Sequence, residues 1–259
     1  MTDKTLGLDA SKETRRITSF IRRTIRQTSA AGVTLGLSGG VDSAVVGALC
    51  VRALGAQRVF ALLMPSDHTP GADIGDARAL VDAWKVGSET VPISPIVRAL
   101  SDSARVDGTK IARANVEARV RMALLYYFAN SLGYLVAGTG DRSESLLGYF
   151  TKWGDGGADF FPIAHLYKTQ VRALGTHLGL PKTVVEKPAS PQLWPGHRAS
   201  DELPADYDKL DPALRLLFDL KASRVVAARE AGVSEAVVER VLEMHGKTEH
   251  KRRLPPSLA

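Results

Sequence analysis

Four short apolar runs rich in β-branched residues recur at residues 33–37, 58–64, 89–93 and 134–138. Between them the apolar residues return at helical spacing, over 44–54, 72–84 and 110–132, with 96–101 as a candidate shorter helix before the last. A strand that is apolar without alternation needs cover on both faces, and strands that alternate with helices are joined by crossovers. The expectation is an α/β fold: a doubly wound, Rossmann-like parallel sheet flanked by helices. Such sheets bind ligands in the crevice beyond the carboxyl ends of their strands. Functional residues are therefore expected just after Leu37, Met64 and Gly138.

The first of these positions carries the sharpest signal. Gly36, Leu37, Ser38, Gly39, Gly40, Val41, Asp42 and Ser43 join an apolar run to an Ala/Val-rich helix. Adjacent glycines let successive backbone N–H groups line a concave turn, and the helix behind adds its positive end, which together suit a phosphate. Asp42 would place a carboxylate beside that phosphate, where Mg²⁺ could be held, and Ser43 could donate to it. Asp42 and Ser43 can also be read as helix-capping residues. The loop is not a Walker A motif, because no Lys-Ser/Thr follows its last glycine. Gly246-Lys-Thr248 fails that pattern too, with Val241 where the first glycine should stand, and Gly138-Thr-Gly140 lacks the third glycine of a dinucleotide fingerprint.

Past Gly138 the texture changes to a stretch rich in Gly, Asp and aromatic residues, a poor element interior and a good binding loop. A helix is expected over 168–180, a loop over 188–202, and two or three helices at the C-terminal end, with one domain spanning 1–259. Cys50 is the single cysteine, which excludes an intrachain disulfide and a four-cysteine metal site. It falls inside the helix after the loop and is expected to be core. The longest apolar runs fall short of the roughly 20 residues that cross a bilayer. The first residues lack the apolar segment of a secretory signal, so a soluble cytoplasmic protein is expected. The net charge of +6 at pH 7 favours an anionic partner. Arg15, Arg16, Arg22, Arg23 and Arg26 supply much of it on one amphipathic helix, where a solvated face is the plainer reading.

SGGVDS after a first strand resembles the pyrophosphate loop of the N-type ATP pyrophosphatases, the PP-loop superfamily with its adenine nucleotide alpha hydrolase-like fold. Seven further segments choose among its members. NVEARVRM (115–122), GTGDRSESLLGYFTKWGD (138–155), GAD (157–159), LYK (166–168), KPAS (187–190), LWPG (193–196) and EHKRR (249–253) stand in the order found in ammonia-dependent NAD synthetases. The resemblance runs from about residue 15 to the end. It implies ATP-dependent amidation of deamido-NAD to NAD with ammonia, through an adenylated intermediate, releasing AMP and pyrophosphate. ATP is the implied co-substrate and Mg²⁺ the implied ion, with a homodimer as the assembly. By residue, the resemblance implies Mg²⁺ at Asp42 and Glu144. It puts ATP at loop 36–43, Met64, Thr139, Lys168 and Ser190, with adenine by the turn at 64–69. The deamido-NAD substrate falls to Asn115, Arg119, Lys152, Asp159, His250 and Lys251. Helix 111–132 is a candidate dimer interface or core element. His197 and Arg198 depart from the family pattern, His165 is given no role, and His68, His177 and His245 are expected at the surface.

Other readings compete. A tRNA-thiolating relative would suit the basic charge but usually needs a pair of cysteines. Residues 223–244 scan as helix, turn, helix, yet Glu235, Glu239 and Glu243 in the second helix would be repelled by DNA phosphates, so no nucleic acid is expected. A GMP synthetase would need a different C-terminal end.

Overall fold

The computed structural model describes residues 6–190, 194, 196 and 198–258. Helix α1 (Ala10–Thr28) leads into strand β1 (Gly32–Gly36), helix α2 (Val41–Leu54), strand β2 (Val59–Leu63), helix α3 (Gly71–Trp84) and strand β3 (Gly87–Thr90). Helices α4 (Ser94–Ser103) and α5 (Lys110–Leu132) then cross to strand β4 (Tyr134–Val136). The strands are all parallel, in the order β3-β2-β1-β4, so the direction of winding reverses between β1 and β4. The doubly wound sheet read from the sequence is the one observed.

Side-chain alternation within the strands explains the layers. Val33, Leu35 and Leu37, with Val59, Ala61 and Leu63, pack against Ile17, Ile21 and Ile25 of α1 and the buried face of α2. Leu62 and Met64 face the opposite way, toward Ile93 and Val120, with Phe60 stacked on Phe128 at the edge of that layer. Cys50 lies wholly inside the first layer, where burial pushes its thiol up to about 12. Of the α1 arginines, Arg22 turns inward at its tip and donates to the carbonyls of Ala53 and Arg52, satisfying the open end of α2. The third strand begins at Gly87, two residues ahead of the expected run. Its ladder still reaches Val91, whose N–H donates to Leu63, and Ile93, whose N–H donates to Pro65.

The second half is helical: α6 (Arg142–Leu147), α7 (Lys168–His177), α8 (Lys182–Val185), α9 (Tyr207–Leu214), α10 (Arg224–Ala231), α11 (Glu235–Lys247) and α12 (Glu249–Arg252). Helix α7 ends short of the expected residue 180, because Gly179 turns left-handed at φ 77° ahead of Pro181. Helices α10 and α11 form the helix-turn-helix outline. Ala227, Ala228, Val238 and Val241 bury its inner faces in a second core with Leu147, Leu210 and Leu214. The pair is a packed hairpin. Among the described residues no helix is long and apolar enough to cross a membrane.

Candidate functional site

The loops after β1 and β4 meet where the winding reverses, at the mouth of a cleft of about 760 Å³. That size suits a small-molecule site. Loop 36–43 forms one wall. Gly39 sits at φ 78°, and a Cβ there would lie 2.3 Å from the carbonyl oxygen of Asp73, so only glycine lets α3 approach this closely. Lys187 locks the same junction, donating to Gly39 O at 3.0 Å and Asp76 at 2.6 Å, and to Asp73. The hydroxyl of Ser43 donates back to Gly40 O at 3.0 Å and accepts from the Ser38 N–H at 3.2 Å. The Ser43 hydroxyl thus braces the turn, while Gly40 is the N-cap of α2 and no side chain caps that helix.

At the floor of the cleft, Lys168 is 1% exposed and gives its ammonium to three carboxylates. Asp42 stands at 2.7 Å, Glu144 at 2.8 Å and Asp141 at 3.0 Å. The sequence allowed Glu144 to be either an ion ligand or a helix cap. Its two oxygens divide the work: Oε2 accepts from the Asp141 N–H at 3.2 Å in a capping box, and Oε1 takes Lys168. Burial would lower the Lys168 pKa, but Asp141, Asp42 and Glu144 outweigh it and hold it well above the ordinary range. Asp141 is raised well above its usual value, first by burial and then, against the pull of Lys168, by Glu144 and Asp42. Glu144 is raised by burial and by Asp42, with Lys168 opposing. Three carboxylates around one ammonium leave an excess of negative charge when all are ionised.

That excess bears on a cation. Asp42 Oδ1 is buried without a hydrogen-bond partner among the described residues, an acceptor left over beside the phosphate loop. No group of three or more His, Cys, Asp or Glu side chains suited to a metal occurs among those residues. Mg²⁺ needs no such cage, since it commonly takes one or two carboxylates and fills its shell with water and phosphate oxygens. Asp42 and Glu144 fit that role.

The other expected residues divide. Gly36, Leu37, Ser38, Gly40, Val41, Met64, Asn115, Thr139, Ser190 and Lys251 line the cleft with the acidic group. Asn115 Oδ1 accepts from Thr151 Oγ1 at 2.8 Å. Lys251 donates to the carbonyls of Gly148 and Phe150 at 2.8 and 2.7 Å, tying the tail to the loop after α6. Arg119, Lys152, Asp159 and His250 stand outside the lining. Arg119 donates to Lys152 O, and Asp159 accepts from the Val136 N–H at 2.7 Å, extending the β4 edge. His250 is exposed on α12. Leu193, Pro195 and His197 lie outside the described residues.

Several wall residues went unread in the sequence. Arg121 donates to Met64 O at 3.1 Å, fixing the carbonyl expected near adenine, and reaches Glu117. His68, expected at the surface, faces the cleft 3.3 Å from Glu117. His245 is likewise not a surface group: its Nδ1 donates to Leu146 O at 2.8 Å and its ring packs on Phe218. Asp141 was missed as well. Its only local signal was the Asp-x-x-Glu spacing to Glu144.

Comparison with known proteins places this geometry. Residues 13–255 match the NAD synthase family. The chain is 48% identical over 253 residues to the NH(3)-dependent NAD(+) synthetase of Hyperthermus butylicus, covering 97% of this chain and 92% of that one. Among solved structures it is similar to NMN synthetase from Francisella tularensis, with a TM-score of 0.87, 31% identity and coverage of 97% and 99% of the two chains. It is also similar to the NH3-dependent NAD synthetase of Campylobacter jejuni solved with nitrate, with a TM-score of 0.84, 31% identity and coverage of 98% and 100%.

Proposed function

The chain belongs to the NAD synthase family, and from that premise we infer that its cleft amidates deamido-NAD to NAD with ammonia and ATP, releasing AMP and pyrophosphate. The observation that carries this reading is the junction of a glycine phosphate loop with the Asp42–Glu144–Lys168 group at the switch point of the sheet.

A carboxylate is a poor electrophile, so its oxygen must first become a leaving group. The substrate carboxylate attacks the α-phosphorus of ATP and pyrophosphate departs. Ammonia then adds to the activated carbonyl, AMP leaves, and the amide remains. The protein's part is positioning and charge neutralisation. The backbone of residues 38–40 and the start of α2 cradle the departing pyrophosphate, with Lys187 holding that loop against α3. Lys168, on the floor of the same cleft, would meet the phosphates of ATP. Asp42 and Glu144 would hold Mg²⁺, which supplies neutralisation of the phosphate charge when bound. Met64 and Thr139 sit at the ends of β2 and β4 to meet ATP, with Ser190 across the cleft, while Asn115 and Lys251 line the side proposed for the dinucleotide.

Arg119, Lys152, Asp159 and His250 are proposed to meet substrate from the same side in the homodimer that we infer. Helix α5 and its neighbour α4 support that assembly, since Ile96, Leu100 and Tyr127 are exposed apolar side chains lining one shallow depression between the two helices. A cytoplasmic location is part of the same proposal.

The test is NAD formation from deamido-NAD, ATP, Mg²⁺ and ammonium, with glutamine replacing ammonium in a parallel reaction. Ammonium-dependent NAD with equal AMP and pyrophosphate is expected. Folded protein that makes no NAD would overturn the assignment. The likeness to an NMN synthetase calls for a third reaction, offering nicotinate mononucleotide in place of deamido-NAD.

A further inference from the structure

Glu144 and Lys168 lie 24 residues apart, on the first turns of α6 and α7, and their contact depends on how those two helix starts are held together. One buried carboxylate outside the cleft joins them. Asp211, in the middle of α9, is fully buried. Its Oδ1 accepts from Ser143 Oγ at 2.6 Å; its Oδ2 accepts from the Thr169 N–H and the Thr169 hydroxyl, each at 2.8 Å. Ser143 Oγ in turn accepts from the Lys168 N–H at 3.0 Å. Apart from Asp211, every residue in this network is next in sequence to Glu144 or Lys168, or is Lys168 itself.

The same helical segment makes a second tie. Past Pro212 the helix widens into a π-turn at Arg215–Asp219, and Asp219 bridges Arg142 to the Tyr167 hydroxyl, the latter at 2.8 Å. At 3.6 residues per turn, positions eight apart fall about 80° out of phase. The wider turn slows the rotation and brings Asp219 back toward the Asp211 face. Two carboxylates on one segment thus span the same two helix starts, Asp211 through Ser143 and Thr169 and Asp219 through Arg142 and Tyr167.

We propose that α9 and its π-turn form a clamp that sets the spacing of Glu144 and Lys168, with Asp211 as its positioning residue. This rests on the assignment of Glu144 and Lys168 to the ATP site. Asp211 is buried behind the cleft and does not line it, and a carboxylate is needed because three donors converge on it. An amide in its place presents an N–H₂ group to one of them.

The experiment is calorimetric titration of Mg·ATP into wild type, Asp211→Asn, Ser143→Ala and Thr169→Val, beside thermal melts and steady-state rates. Asp211→Asn is expected to weaken Mg·ATP binding and lower kcat, each about 10- to 100-fold, with KM for deamido-NAD moving less than about threefold. Ser143→Ala and Thr169→Val keep the buried charge and are expected to give smaller losses of the same kind. The double variant Asp211→Asn/Ser143→Ala is expected to lose no more than Asp211→Asn alone, because both cut one path. Affinity within about twofold of wild type in folded Asp211→Asn overturns the proposal, even if the melting point falls, since a purely structural residue would lower only the latter. If Asp211→Asn does not fold, the two single variants decide: weakened binding in both supports the clamp, and unchanged binding in both overturns it. Wild-type protein that fails to bind Mg·ATP would instead refute the ATP-site assignment.

Discussion

Replacing Lys168 by methionine is the most searching perturbation of the acidic floor. Methionine matches the lysine stem in length and removes the cation that Asp42, Asp141 and Glu144 share. Lys168 and Asp141 are enclosed almost completely, so solvent screens this group little. Removing one partner from a buried ionic cluster costs about 3–5 kcal/mol. At about 2–4 °C per kcal/mol for a chain near this size, the melting point should fall by about 6–20 °C at pH 8. The direction with pH follows from the carboxyls. Asp141 and Glu144 are raised above their ordinary values by burial even with Lys168 present, and its loss raises them further. A carboxyl whose folded value exceeds its unfolded value destabilises the fold when ionised. That cost sets in as pH rises from the unfolded value near 4 through the folded one, at up to about 1.36 kcal/mol per pH unit for each proton. Lys168 itself is raised, so its stabilising contribution in wild type is complete below its unfolded value and is lost only as pH rises through the folded one. The gap between wild type and variant should therefore narrow from pH 8 to pH 5. Calorimetric melts of both proteins at the two pH values provide the assay. A variant melting within about 2 °C of wild type at pH 8, or a gap that does not shrink in acid, would refute the reasoning.

Other expectations follow from single contacts. Gly39→Ala should cost about 1–2 kcal/mol for its left-handed backbone and in addition force the loop away from Asp73, raising KM for ATP at least tenfold. Gly55→Ala has a similar φ of 83° with nothing within 4 Å of the added carbon, and should lower the melting point without moving that KM. Asp42→Ala should abolish Mg²⁺-dependent turnover while leaving the melting point unchanged or higher, because it relieves the excess of negative charge; normal rates would remove Asp42 from the metal role. Tyr127→Glu on the exposed face of α5 should shift the protein from dimer to monomer in light scattering, and an unchanged mass would place the interface elsewhere.

What the sequence determined by itself is local. The alternation of apolar runs with helical periods specified a parallel sheet, because each element's burial pattern is written within a few consecutive residues. The loop at 36–43 was legible for the same reason: its glycines, its aspartate and the following helix start are neighbours in the chain, so the anion cradle needs no distant partner. The order of the remaining motifs was enough to suggest the family. Tertiary structure decided which side chains share the cleft. Lys168 meets Asp42 across 126 residues, Lys187 meets Gly39 across 148, and Arg121 meets Met64 across 57. No local pattern distinguishes such a lysine from a surface one. Packing also decided which partners within the protein several of the expected site residues take. The Ser43 hydroxyl turned inward to Gly40, Glu144 took both cap and cluster, and Asp159 finished a strand edge. Asp211 is the extreme case. It sits beside a proline in a short helix, with no local signal of a role, but the fold makes it the tie between two helix starts. A buried carboxylate is stable only where donors converge on it, and that convergence exists only once the helices have packed.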